Sequence, residues 1–209
     1  MSKQKIFNFN FNEFDDYSNF YVNETNFDAY NSILKKNEHK IFLYGPIKSG
    51  KSYLGDIWRQ KYNAIKYENN FEKIININKN ILIDNISNKL NQEEIFHIIN
   101  HCSLNNLYIL ITSNLLIDEI KFNLNDLNSR LKIFTFLRIN KPDDDMLLNI
   151  LTKLFTQKQF VINSKEIFQF ILKNTNRTYE NIINIVNRLD TLSIEKKRQL
   201  TIPLIKEIL

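Results

Sequence analysis

The chain has 209 residues, 43% hydrophobic and 24% charged, and these values predict one good-sized globular domain or two small ones rather than a disordered chain. Its net charge of +5 permits contact with nucleic acid, but no segment gathers more basic residues than "EKKR" at 195–198. The single cysteine, Cys102, excludes an internal disulfide, and without a signal peptide or an apolar run of about 18 residues we expect a cytoplasmic protein that does not enter a membrane.

Short apolar runs alternate with longer segments of helical periodicity over the first two thirds of the chain. Strands are predicted at 40–45, 64–68, 80–85, 107–112 and 133–139. Between them, segments 52–62 and 91–103 place apolar residues at helical spacing. Near-continuous apolar strands separated by helices are typical of a parallel sheet covered on both faces, so we predict an α/β fold with a parallel five-stranded sheet.

The pattern changes at "NKPDDD", residues 140–145. Pro142 followed by three aspartates predicts a helix start, because the carboxylates would lie at the positive end of the helix dipole. From there on only helices are predicted, over roughly 143–157, 164–173, 178–190 and from Pro203 onward. We therefore expect a boundary near residue 140, with a small all-helical domain after it.

The three glycines of the chain all fall within "GPIKSGKSYLG", residues 45–55, whose first eight residues match the phosphate-binding loop G-x-x-x-x-G-K-[ST]. In such a loop, backbone N–H groups point inward at phosphate oxygens, Lys51 reaches the β- and γ-phosphates, and the Ser52 hydroxyl is a ligand for Mg²⁺. Gly55 is expected to let the following helix lie close to the sheet. The predicted nucleotide-binding residues of the loop are Gly45, Pro46, Ile47, Lys48, Ser49, Gly50, Lys51, Ser52 and Tyr53.

A carboxylate and an amide follow the third predicted strand. Asp84 ends the apolar run 80–83 and is the predicted second Mg²⁺ ligand, beside Ser52. Hydrolytic P-loop ATPases usually place Asp or Glu next, to polarise the attacking water, whereas this chain has Asn85. Because an amide cannot accept the proton of that water, we expect unaided hydrolysis to be slow.

The order of these features resembles that of the AAA+ ATPases: phosphate loop, strand-ending Asp84, the polar strand end "ITSN" at 111–114, an arginine-containing loop and a helical lid. More narrowly, the chain is similar to the DnaA family of replication proteins. That similarity is carried by "LIDNI" (82–86), "LNDLNSRL" (124–131), "RQLTIPLIKEIL" (198–209) and the segment 15–30. The resemblance covers essentially the whole chain and implies an AAA+ nucleotide-binding domain at 13–140 and a lid domain at 141–209.

The resemblance implies roles for further residues. Asn114 would take the sensor-1 position beside the γ-phosphate, and Arg177 would be the sensor-2 arginine of the lid. Arg130 matches the arginine finger, which enters a neighbouring subunit's site, and it is the predicted catalytic residue, acting in trans. The residues expected to line the adenine pocket are Tyr21, Val22 and Asn26.

The N-terminal residues "QKIFNF" (4–9) resemble the peptide that docks on bacterial sliding clamps. The Gln4 amide would form a hydrogen bond at one end, while Phe7 and Phe9 fill an apolar groove. Residues 1–12 are therefore the predicted clamp-binding tail, and DNA would be contacted indirectly, through the clamp.

Together these features predict a nucleotide-binding adaptor that holds ADP or ATP with Mg²⁺. On the clamp it would present Arg130 to the ATP-bound initiator DnaA, stimulate ATP hydrolysis by DnaA and so limit replication initiation. Two alternatives stay open, an autonomous ATPase of the loader type and a shortened DnaA paralogue that binds origin DNA. The working nucleotide and the oligomeric state, a homodimer included, stay open as well.

Overall fold

A computed structural model of the chain describes residues 20–35, 38–160 and 166–209. Within these ranges a five-stranded sheet is flanked by helices and is followed by helices alone. The predicted clamp-binding residues Gln4, Phe7 and Phe9 lie outside the described residues. No helix in the described ranges is both long enough and apolar enough to cross a bilayer.

The strands of the described sheet are all parallel. They are β1 Lys40–Tyr44, β2 Ile65–Lys66, β3 Ile81–Ile83, β4 Ile109–Ser113 and β5 Thr135–Arg138. Their order across the sheet is β2-β3-β4-β1-β5, which confirms the predicted five-stranded parallel sheet. Because parallel strands end at one edge, the segments that follow β1, β3 and β4 meet there, and these segments contain the phosphate loop, Asp84 and Asn114.

Helices fill the connections and form the C-terminal part of the chain. They are α1 Phe27–Lys35, α2 Lys51–Lys61, α3 Phe71–Ile75, α4 Gln92–Leu104, α5 Asn125–Leu131, α6 Asp144–Gln157, α7 Glu166–Lys173, α8 Tyr179–Lys196 and α9 Ile202–Lys206, with a 3₁₀ turn at Ile117–Glu119. The prediction that Arg130 lies on a loop is wrong. Arg130 is in the last turn of α5, a helix that forms because Leu127 and Leu131, four residues apart, are both buried on its α4-facing side.

Each face of the sheet packs against helices, which explains why the strands are apolar at nearly every position. On one face, Phe42, Ile81 and Ile109 join residues of α4 and α5. On the other face, Ile41, Leu82 and Leu110 join residues of α1 and α2. Here Gly55 of α2 permits close approach, since a Cβ at Gly55 would lie 3.3 Å from Leu82 Cδ1, as predicted.

The C-terminal helices have an apolar core of their own, built from α6, α7, α8 and α9. The predicted start of α6 is confirmed: Asp143 is its N-cap and accepts a hydrogen bond from Met146 N at 2.7 Å, while Asp144 and Asp145 occupy the first turn. Helix α8 continues to Lys196, six residues beyond its predicted end. We propose a domain boundary near residue 140 because the core of the helices is separate from the two that cover the sheet.

Candidate functional site

The phosphate-loop sequence forms a tight turn between β1 and α2. A Cβ at Gly45 would lie 2.6 Å from the carbonyl oxygen of Ile139, so the backbone approach here excludes a side chain. Gly50 has a φ of 89° and is the N-cap of α2, which begins without a side-chain acceptor for its first N–H groups. A helix that starts in this way favours an anion at its N-terminus.

Lys51 folds back onto this turn. Its Nζ donates to the carbonyl oxygens of Gly45 (2.9 Å) and Pro46 (2.7 Å) and to Ser49 Oγ (3.4 Å), and the residue is 6% exposed. Burial lowers the pKa of Lys51 to about 8, and the nearby Asp84 carboxylate opposes this shift. An ammonium group that is buried among neutral oxygens would gain strongly from an anionic phosphate.

The Asp84 carboxylate is bound by three side chains. Ser52 Oγ and Thr112 Oγ1 donate to Asp84 Oδ1 at 3.0 and 2.6 Å, and Lys66 Nζ donates to Oδ2 at 2.9 Å. Burial alone would raise the pKa of Asp84, but the hydrogen bonds from Thr112, Lys66 and Ser52 outweigh it and hold that pKa below its ordinary value. The predicted metal ligands Ser52 and Asp84 are therefore in contact, and their oxygens are of the kind that Mg²⁺ takes.

Lys66 was not predicted to belong to the site. It lies on the edge strand β2, opposite Leu82, and its side chain reaches the carboxyl edge of β3. The available signal was a lysine between Ile65 and Tyr67 in the predicted strand 64–68. In a sheet covered on both faces, such a residue needs a polar partner at the end of the sheet.

Two amides face each other beside Asp84. Asn85 has a φ of 59°, a left-handed conformation that asparagine tolerates well, and its N–H donates to Thr112 Oγ1 at 2.7 Å. The side chain of Asn114 donates from Nδ2 to Asn85 Oδ1 at 2.9 Å. The predicted sensor-1 residue Asn114 thus contacts Asn85, the amide that follows Asp84.

Two cavities adjoin the phosphate loop and share Lys48, Ser49, Gly50 and Tyr53. A cavity of 460 Å³ is lined by residues 47–53 of the loop and by Asp84, Asn85, Thr112 and Asn114. A second, of 300 Å³, lies between the loop and the C-terminal helices and is lined by Phe20, Tyr21, Asn26, Met146, Asn149, Ile150, Lys153, Leu154, Gln157, Tyr179 and Ile183 besides the shared residues. The larger cavity suits phosphates, and the smaller one suits a flat, largely apolar group.

The predicted adenine-pocket residues occupy different positions. Tyr21 and Asn26 line the smaller cavity, whereas Val22 is not among its lining residues. The Asn26 amide holds the turn itself, because it accepts from Asn23 N at 3.0 Å and donates to the carbonyl oxygen of Tyr21 at 2.9 Å. Sequence reasoning missed Phe20, whose ring stacks on Tyr30 and Tyr53 at centroid distances of 5.7 and 5.9 Å.

The two predicted arginines line neither cavity. Arg177 Nη1 is paired with Asp144 Oδ1 at 2.8 Å, and both side chains are more than half exposed. Arg130 is exposed on α5 and lines neither cavity. Among the described residues it forms no ion pair.

The fold and the site together define an AAA+ protein: a parallel sheet with a phosphate loop after β1, an aspartate after β3, an amide after β4 and a helical lid. Residues 143–209 match the family described as "Hda, lid domain". The chain is therefore an Hda/DnaA-related AAA+ protein.

Curated relatives carry the name chromosomal replication initiator protein DnaA. The DnaA of Buchnera aphidicola subsp. Baizongia pistaciae is 31% identical over 180 residues, covering 82% of this chain and 37% of that protein. The DnaA of Buchnera aphidicola subsp. Cinara cedri is 27% identical over 228 residues, covering 92% of this chain and 52% of that protein. The chain thus spans about half the length of these relatives or less.

Solved structures share the fold at low identity. Domain III of the Thermotoga maritima initiation protein DnaA matches with a TM-score of 0.72 and 18% identity, covering 91% of this chain and 93% of that one. AMPPCP-bound DnaA from Aquifex aeolicus matches with a TM-score of 0.65 and 20% identity, covering 84% and 65%. The Thermotoga maritima RuvB branch migration motor has a TM-score of 0.59 and 15% identity, covering 81% and 60%.

Proposed function

We propose that this chain is a nucleotide-holding adaptor that, on the sliding clamp, supplies Arg130 to DnaA, stimulates ATP hydrolysis by DnaA and so limits replication initiation. The observation that carries the proposal is the Asn85–Asn114 amide pair beside a complete phosphate loop. Such a site can hold a nucleotide, but the position next to Asp84 has no group that can accept a proton from water.

Nucleotide binding is supported by the chemistry of the two cavities. Lys51 and the start of α2 favour phosphate oxygens, and the aromatic end with Phe20, Tyr21 and Tyr53 favours a base. The DnaA of Aquifex aeolicus was solved with AMPPCP, which makes an adenine nucleotide the first candidate for this chain. ADP and ATP would use the same loop.

Magnesium would be held by Ser52 and Asp84 when a nucleoside triphosphate is bound. A divalent cation at that place neutralises charge on the β- and γ-phosphates. Ser52 Oγ and Asp84 Oδ1 already lie 3.0 Å apart, but Lys66 Nζ donates to Asp84 Oδ2, so the ion would have to displace that ammonium.

Action on a partner is supported by the position of Arg130. Arg130 is exposed and lines neither cavity, which supports contact with another protein rather than with this chain's own nucleotide. A guanidinium is permanently charged and grips phosphate oxygens bidentately, and such fingers raise hydrolysis by roughly 10³–10⁵.

The clamp contact rests on the sequence of residues 4–9, and a clamp pull-down tests it. We expect Gln4→Ala to lose clamp binding, because the amide hydrogen bond at one end of the docking peptide is removed. Retained binding would show that residues 4–9 are not the clamp-docking peptide and would argue against the clamp-bound regulator.

Nucleotide binding without ATP hydrolysis is tested on this protein in the absence of DnaA and the clamp. We expect N-methylanthraniloyl-ADP to bind the wild type and not Lys51→Ala, and we expect phosphate release from ATP to stay near background for both proteins. Appreciable release by the wild type that is lost in Lys51→Ala would favour an autonomous loader-type ATPase. Sequence-selective origin binding without the clamp would favour a shortened DnaA paralogue.

A further inference from the structure

The Lys66–Asp84 ion pair lies at the predicted Mg²⁺ site, because Asp84 is the predicted carboxylate ligand of the ion. Lys66 Nζ lies 2.9 Å from Asp84 Oδ2, with side-chain exposures of 38% for Lys66 and 12% for Asp84. The other oxygen, Oδ1, accepts from Ser52 and Thr112. Both carboxylate oxygens therefore have donors from this chain.

The charges around the phosphate end favour an anion over a divalent cation. The charged residues that line the larger cavity are Lys48, Lys51 and Asp84, and Lys66 joins them through its ion pair. Three ammonium groups against one carboxylate leave two net positive charges. Mg²⁺ at a nucleotide site is held by one or two carboxylates together with the phosphates, and the one carboxylate that lines this cavity is already compensated.

A divalent cation would have to compete with Lys66 for Asp84. The ammonium is attached to the chain and is held on a partly buried carboxylate, so displacing it breaks a charge-assisted hydrogen bond. A phosphate group has no such competitor, because the partners of Lys51 are neutral oxygens that it can exchange for phosphate oxygens. This site therefore favours binding of the phosphates of a metal–nucleotide complex and disfavours binding of its metal ion.

We propose that Lys66 acts as a built-in counter-ion at Asp84, so that this chain holds a nucleoside diphosphate without a divalent cation. The inference rests on the proposed nucleotide binding and specifies the form of the ligand. A nucleotide held in this way stays bound when divalent cations are removed, which suits a protein that keeps its nucleotide rather than turning it over. Lys66 is a positioning residue here, because it acts through Asp84.

The test compares the Kd of N-methylanthraniloyl-ADP in EDTA with its Kd in excess Mg²⁺. For the wild type we expect the two values to agree within about twofold. Lys66→Met removes the ammonium and keeps the chain length, so we expect binding in EDTA to weaken by about tenfold and Mg²⁺ to restore it at the freed carboxylate. Lys73→Met, an exposed lysine of α3, is the matched control and should behave as the wild type.

Three results would overturn the proposal. One is a wild type whose binding weakens tenfold or more in EDTA, on the scale of a lost charged hydrogen bond. Another is a Lys66→Met protein whose binding is equally insensitive to Mg²⁺, and the third is a Lys73→Met protein that responds as Lys66→Met does. Thermal melts check that each variant is folded. Lys66→Arg keeps the charge, so its ratio of Kd in EDTA to Kd in Mg²⁺ should equal that of the wild type. Absence of any ADP binding to a folded wild type would instead refute the proposed nucleotide binding itself.

Discussion

Replacing Gly50 by alanine tests the geometry of the phosphate loop. Gly50 has a φ of 89°, a left-handed conformation that costs an L-residue roughly 1–2 kcal/mol. The new Cβ would also lie 3.0 Å from Phe20 Cε2, and the Phe20 ring is stacked on Tyr30 and Tyr53, so it must shift against packed neighbours. We expect Gly50→Ala to lower the free energy of unfolding by about 2 kcal/mol and to weaken ADP binding.

Gly55→Ala is the matched control, because it adds the same methyl group inside α2, the helix that Gly50 caps. Alanine gains about 1 kcal/mol of helix propensity over glycine, and the 3.3 Å contact with the flexible Leu82 side chain offsets part of that gain. Stability is measured by urea unfolding followed through Trp58, the one tryptophan of the chain, which is 1% exposed on α2. A Gly50→Ala protein as stable as the wild type, or an equal loss in Gly55→Ala, would refute the reasoning.

Two further predictions concern the lid and the core. Asp144→Asn removes the carboxylate paired with Arg177, so the freed guanidinium should raise the affinity for ATP by about two- to fivefold, measured by calorimetry. Unchanged or weaker binding would contradict a nucleotide-sensing role for Arg177. Burial raises the pKa of Cys102 to about 12, so at pH 8 its thiolate is scarce and the thiol is inaccessible. We expect Ellman's reagent to leave the native protein unmodified and to report one thiol per chain in guanidinium, whereas rapid reaction of the native protein would contradict the packing of α4.

The sheet could be predicted from sequence because burial on both faces imposes apolar residues at nearly every strand position. The start of α6 was equally predictable, since Pro142 and the aspartates after it form a local helix-start signal. Helix α5 escaped prediction because its seven residues are too short for clear periodicity. Strand β2 is shorter than the predicted strand 64–68. It comprises only Ile65–Lys66, because an edge strand extends only as far as it pairs with its one neighbour, here β3.

The candidate site was predictable only where a local motif carries it. The phosphate loop is contiguous, and Asp84 directly follows the apolar strand β3, whereas Asn114, which follows β4, was implied by the family resemblance. The Lys66–Asp84 pair joins residues 18 positions apart, and the contact of Phe20 with Gly50 depends on how the chain packs. Local periodicity reports that a residue is buried, whereas its partner is set by the tertiary fold.

The most direct measurement is phosphate release by ATP-bound DnaA in the presence of clamp-loaded DNA and this protein. The wild type is compared with Arg130→Ala and with Arg188→Ala, an exposed arginine of α8 that serves as the matched control. We expect the wild type and Arg188→Ala to accelerate release, and Arg130→Ala to lose roughly 10³-fold or more of that acceleration while still binding ADP. If Arg130→Ala accelerates DnaA as well as the wild type does, this protein does not supply the arginine that drives hydrolysis in DnaA.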